Sequence, residues 1–220
     1  MIGVILPPFY PVLDTALLTR VGLFAEDAAE PILQAGARIL QFRHKDFFSR
    51  QVFESAERVA GLCRAAQALF VVNDRADIAK LLDAALHLGQ DDLAPTGARK
   101  LMRARGIIGF STHNDEQLRR GDQAPVDYLA IGPIFSTASK EKPDPVLGIE
   151  RLRSLRALTE KPLVAIGGIK RETAAAVLEA GADSVAIIGD LFPEPCTKAA
   201  LRSRAEEWLA ICSSRTSRRP

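Results

Sequence analysis

The chain has 220 residues, 47% of them hydrophobic, which is enough for one domain of the larger kind or two small ones and too apolar for a disordered segment. Its 29 basic and 27 acidic residues leave a net charge of +2, which argues against a nucleic-acid binder held by phosphate electrostatics while leaving local basic sites open. Cys63, Cys196 and Cys212 have neither zinc-type spacing nor a C-x-x-C, the pattern of a reduced cytoplasmic chain.

Met1 to Leu6 lacks a basic leader region and meets Pro7-Pro8 before a secretory core could form. No apolar run approaches the roughly 18 residues of a membrane span, so a soluble protein without membrane contact is expected. Tyr10 to Leu13 reads as a first short strand, followed by a polar break at Asp14-Thr15 and a helix from Ala25 through Gln34 that Gly36 ends. Ile39 to Arg43 is the second strand, with His44, Lys45 and Asp46 beyond it, and Ser49 to Gln67 has helical periodicity. Leu69 to Val72 and Ala84 to Leu88 follow as strands around a short helix containing Asp77, Ala79, Lys80 and Leu82, and Pro95 opens another helix.

The second half repeats the pattern. Ile107 to Ser111 and Tyr128 to Gly132 are strands, with a helix from Asp115 between them and a long loop from Pro133 to Leu147 after them. A helix from Ile149 to Leu158, a strand from Leu163 to Ile166, Gly167-Gly168 and a helix from Arg171 to Ala180 come next. Val185 to Ile188 then runs into Gly189, and a last helix spans about Thr197 to Ile211. Eight strands too uniformly apolar to have a wet face, each followed by a helix, predict buried parallel strands in a single-domain (β/α)₈ barrel over 1–212, with a polar tail at 213–220. An open doubly wound sheet is the alternative, but no G-x-G-x-x-G follows the first strand.

In such a barrel the strand C-termini share the face that carries the active site. The polar residues at those ends are Gln41, Arg43 and Lys45 after the second strand, Asn73 and Asp74 after the third, and Gln90 and Asp92 after the fourth. Ser111 follows the fifth, Thr137, Ser139 and Lys140 lie in the loop after the sixth, and Gly167, Gly168 and Gly189 follow the last two. Cations, hydroxyls and two separated carboxylates suit a Mg²⁺-bound diphosphate, and no nucleophile paired with a base is evident. Two convergent carboxylates, Asp74 and Asp92, can hold Mg²⁺, although Asn-Asp and Gln-Asp-Asp are also ordinary turn and capping sequences. Gly167-Gly168 suits phosphate binding through backbone N–H groups. His87, inside an apolar strand, reads as a satisfied core histidine; His113 is ambiguous, and His44 should point away from Arg43 and Lys45.

The segments Q-F-R-H-K (41–45), V-V-N-D-R-A-D (71–77), H-L-G-Q-D-D-L (87–93), G-F-S-T-H (109–113), G-P-I-F-S-T-A-S-K (132–140), A-I-G-G-I (165–169) and G-A-D-S-V-A-I-I (181–188) resemble the thiamine phosphate synthase family, in its order and over almost the whole chain. That resemblance implies transfer of an aminopyrimidinylmethylene group from its diphosphate to the ring nitrogen of a thiazole phosphate, with loss of diphosphate. It further implies that Asp74 and Asp92 ligate Mg²⁺, and that Gln41, Arg43, Lys45, Asn73, Ser111 and Lys140 hold the pyrimidine diphosphate. Thr137, Ser139, Gly168, Ile188 and Gly189 would form the thiazole phosphate site. Arg43, Lys45 and Lys140 would stabilise the leaving group. The chain departs from the family at Ser139, where Thr is usual, and at Gly189, where many members have Ser.

Two other readings use the same barrel. A thiazole tautomerase-like isomerase would promote His113 and would not need Asp74, Asp92 and Lys140 together. A non-catalytic phosphate-ligand binding protein would need the pocket alone. The sequence leaves homo-oligomer formation open.

Overall fold

The computed structural model describes residues 4–102, 106–137 and 144–213. Eight strands, Phe9–Asp14 (β1), Ile39–Arg43 (β2), Leu69–Asn73 (β3), Ala85–Leu88 (β4), Ile108–Thr112 (β5), Tyr128–Ile131 (β6), Leu163–Ile166 (β7) and Ser184–Ile187 (β8), form a closed barrel in sequence order. Every neighbouring pair is parallel, including β1 with β8, so the sheet has no edge strand.

The helices are Thr15–Arg20 (α1), Ala25–Gln34 (α2), Arg50–Ala65 (α3), Ala76–Leu81 (α4), Pro95–Met102 (α5), Asp115–Gln123 (α6), Gly148–Arg156 (α7), Arg171–Glu179 (α8) and Lys198–Ser213 (α9). They cover the barrel and bury its outward side chains, while the inward set makes a second, smaller core. Val12, Ile39, Val71, Ala85, Ala130, Val164 and Ala186 belong to that inner set. Closure is finished by α9, whose Trp208 stacks on Phe9 of β1 with ring centroids 6.0 Å apart.

The barrel, its eight strands and their order agree with the sequence reading. Two short elements differ from it. The polar break at Asp14-Thr15 is the start of α1, because the Asp14 carboxylate caps it by accepting from the backbone N–H of Leu17 at 3.0 Å. After β8 the chain makes one 3₁₀ turn, Gly189–Leu191. Most of the long loop predicted from Pro133 is placed, whereas Ser139, Lys140 and the tail beyond Ser213 lie outside the described residues.

Candidate active site

Parallel closure brings the ends of β1 to β8 to one rim, around a cavity of about 830 Å³. Gln41, Arg43, Lys45, Asn73, Asp74, Asp92, Ser111, Thr137, Gly168, Ile188 and Gly189 all line it, so every site residue expected from the sequence and described by the structure faces the same space. A volume of this size fits ligands larger than a single phosphate.

Asp74 and Asp92 both line it, near enough for the Asp92 carboxyl to act on the ionisation of Asp74. Asp74 follows β3 with φ +66°, a left-handed conformation that short polar side chains tolerate better than most. Its backbone N–H donates to the His87 carbonyl at 2.7 Å, which locks that turn onto β4. Asp92 reaches back to accept from the Gly89 N–H at 2.6 Å. Burial, and then the neighbouring Asp92, push the Asp74 carboxyl up to about 6, against the pull of Lys45, whose Nζ lies 2.6 Å from Asp74 Oδ2.

That pair bears on a metal. Among the described residues no group of three or more His, Cys, Asp or Glu side chains is arranged to hold an ion, so a cage built wholly by protein is not present. Two crowded carboxylates are an incomplete shell of the kind Mg²⁺ completes with water and substrate phosphates. The donor set is all oxygen, and a divalent cation would offset both the burial and the neighbouring carboxylate that raise Asp74; the residues fit Mg²⁺.

Beside them, Asn73 is 7% exposed and its Nδ2 has no hydrogen-bond partner, a buried donor left over for a ligand. Arg43 forms a close ion pair with Asp14 at the end of β1. Sequence reasoning passed over Asp14, although it ends its strand as Asn73-Asp74 ends β3. His44 turns outward to Thr15 Oγ1 at 2.7 Å, as strand alternation requires.

Below the rim a hydrogen-bonded file crosses the barrel. Gln41 Nε2 donates to the Tyr10 hydroxyl at 2.9 Å, and the Tyr10 and Tyr128 hydroxyls are 2.9 Å apart. Tyr128 lies 3.0 Å from His87 Nδ1, and His87 Nε2 lies 2.9 Å from Ser111 Oγ. His87 is thus a buried and satisfied histidine, and burial lowers its pKa to about 4, leaving the ring neutral. It also lines the cavity. Tyr10 and Tyr128 were hidden among strand residues, and no local pattern in the sequence links them.

Gly167 and Gly168 have φ of +98° and +63°, and a Cβ on Gly168 would stand 2.4 Å from the Ser136 carbonyl oxygen. Their lack of a side chain therefore lets the β6 loop lie against the end of β7, where Phe135 N–H donates to Gly167 O at 2.9 Å. Sequence reasoning tied the same lack to close phosphate approach. Around Gly189 the position of a Cβ is open space, so the missing serine is not excluded by packing. His113 Nδ1 lies 2.6 Å from the Gly132 carbonyl oxygen and 3.5 Å from Asp144 Oδ2.

Comparison with known proteins gives the family of this barrel. A family model described as thiamine monophosphate synthase matches residues 9–191. A thiamine-phosphate synthase of Koribacter versatilis is 45% identical over 215 residues, covering 96% of this chain and 99% of that protein. One from Archaeoglobus fulgidus is 38% identical over 189 residues, covering 86% and 89%. The solved thiamine phosphate pyrophosphorylase from Pyrococcus furiosus superposes with a TM-score of 0.82 at 29% identity, over 94% of this chain and 96% of that one. The chain belongs to the thiamine monophosphate synthase family.

Proposed function

We propose that this chain joins 4-amino-5-hydroxymethyl-2-methylpyrimidine diphosphate to a thiazole phosphate, giving thiamine phosphate and diphosphate. The observation that carries the reading is the meeting of Asp74, Asp92 and Lys45 at one side of a cavity whose other side is formed by Gly168, Ile188 and Gly189. That arrangement offers separate places for a diphosphate and a second phosphate.

In the reaction the bond from the pyrimidine methylene carbon to the diphosphate oxygen breaks, and its electron pair leaves with that oxygen. The lone pair of the thiazole nitrogen forms the new C–N bond. The nitrogen has no proton to lose, so the attack needs no general base. Held by Asp74 and Asp92, Mg²⁺ would supply positive charge to the departing diphosphate. Arg43, oriented by Asp14, and Lys45 would bind its oxygens more tightly as their charge grows, with Lys140 assigned the same role.

Gln41, Asn73 and Ser111 would hold the pyrimidine, Asn73 by its unpartnered Nδ2. Thr137, Ser139, Gly168, Ile188 and Gly189 would receive the thiazole phosphate. Among the described residues no helix is long and apolar enough to cross a membrane, and the three cysteines are unpaired, in keeping with work in the cytoplasm on small molecules.

The test is purified protein with both substrates, followed for thiamine phosphate and diphosphate with Mg²⁺ and then with a chelator. Equal amounts of both products, formed only with the cation, are expected. Failure to form thiamine phosphate with Mg²⁺ present would refute the reading.

A further inference from the structure

The file beneath the cavity has a direction. Gln41 meets Tyr10 through Nε2, and an amide nitrogen can only donate. Tyr10 is 1% exposed, and its own proton has one acceptor among the described residues, the Tyr128 hydroxyl. Tyr128, which accepts that proton and is fully buried, passes its own to His87 Nδ1. A neutral imidazole that accepts at Nδ1 carries its proton on Nε2, and Ser111 Oγ is there to accept it. The Ser111 proton is left for the cavity, and so is the Gln41 carbonyl oxygen Oε1.

With Gln41 presenting Nε2 to Tyr10, the opposite polarity fails at its last link. If Ser111 donated to His87, the chain would end with Tyr10 donating to an amide nitrogen that cannot accept, stranding buried protons. The barrel also makes room for the file. A Cβ at Gly109 would lie 2.0 Å from Tyr128 Cζ, so β5 carries a glycine where the Tyr128 ring crosses. The His87 and Tyr128 rings stack with centroids 5.6 Å apart, which fixes the planes of both.

We propose that Tyr10, Tyr128 and His87 are positioning residues that present Gln41 to the cavity as an acceptor and Ser111 as a donor. The site then reads a ligand edge with one N–H donor and one unprotonated ring nitrogen. This deepens, and rests on, the reading of the cavity as a pyrimidine diphosphate site. An aminopyrimidine offers such an edge, an amino group beside a bare ring nitrogen. Its 4-oxo counterpart offers the reverse, a carbonyl beside a ring N–H. None of the three residues needs to touch the bond that breaks.

The ligand-free protein with ¹⁵N-labelled histidine tests the file, because the nitrogen shifts report which ring nitrogen carries the proton. His87 is expected with Nδ1 bare and Nε2 protonated, its signals identified by their loss in His87→Gln. Tyr128→Phe should release it into a mixture of tautomers, whereas Tyr10→Phe should leave it unchanged, since Tyr128 still donates. A proton on Nδ1 of the parent, or no change in Tyr128→Phe, would overturn the proposal.

The second arm compares kcat/KM for the aminopyrimidine diphosphate and its 4-oxo counterpart. Both tyrosine variants should lose at least about tenfold of the parent's preference, the size expected for one misdirected hydrogen bond. An equal fall for both compounds, with preference intact, would mean scaffolding alone and would refute the positioning role. A parent without thiamine phosphate formation would refute the functional reading instead, and the tautomer result would still stand or fall by itself.

Discussion

Asp74 concentrates the site's tension: a left-handed backbone, partial burial and a second carboxylate against its own. Its folded pKa, about 6, lies above the ordinary 3.8, so the folded state binds more protons than the unfolded one between those values. Stability therefore falls as pH rises through that window, and the penalty is fully present above it. Asp74→Asn should raise the melting temperature of the metal-free protein at neutral pH by roughly a few degrees, as read by calorimetry in a chelating buffer. The same change should lower turnover at least about a hundredfold, the scale of losing one directed electrostatic partner. Gly168→Val makes a different prediction from the one its cavity position first suggests. Its Cβ must enter the Phe135-Ser136 backbone, so thiazole phosphate binding should weaken together with a stability loss of about 1 kcal/mol or more, measured by titration and by urea unfolding. Weak binding with unchanged stability would show that loop packing is not the cause. Asp74 and Asp92 were legible in the sequence because each stands just past a clear apolar run. The Asp14–Arg43 pair and the Tyr10–Tyr128–His87 file were not, because their partners are brought together by barrel closure across 29, 118 and 41 residues of chain.

Among the elements, those with strong periodicity or clear stops were legible, six-residue α4 included, whereas α1 and the 3₁₀ turn after β8 were not. α2 and α3 announce themselves by apolar spacing, Ser49 and Gly36, whereas six-residue α1 is held by one capping carboxylate that also serves Arg43. α2 is fastened to α3 by Glu26, which accepts from Ser55 at 2.8 Å and Arg58 at 2.6 Å. Burial opposes ionisation of Glu26, but hydrogen bonds from its backbone, Ser55 and Arg58 outweigh it and hold the carboxyl below its ordinary 4.5. The folded pKa is the lower one, so its contribution is present above the unfolded value and is lost as pH falls through the folded value. Glu26→Gln should lower the neutral melting temperature slightly and flatten its decline on the acid side, followed from about pH 7 to about pH 3. An acid limb of unchanged slope would contradict the fastening. On β5, Gly109→Ala would drive a methyl group into the Tyr128 ring and should cost about 1–3 kcal/mol in chemical denaturation. An alanine variant as stable as the parent would mean that the ring has somewhere else to go.

For the whole molecule, eight parallel strands without an edge do two things. They bury the apolar runs on both faces, which is why the fold could be read from hydrophobic pattern alone, and they deliver the strand ends to one rim. The second consequence gives meaning to charged residues that looked like ordinary turns. It also explains what the sequence could not supply: which rim residues touch, and which glycines serve the protein's own loops, are set by register and packing between distant strands. The central claim is that Asp74 and Asp92 act through one shared ion on the departing diphosphate. The most direct test is the double-mutant cycle on kcat/KM, with Asp74→Ala, Asp92→Ala and both together, in saturating Mg²⁺. If one ion is shared, losing either carboxylate removes most of its effect, so the double variant should fall less than about tenfold below the worse single one. Losses that multiply, as for two independent groups, would contradict it.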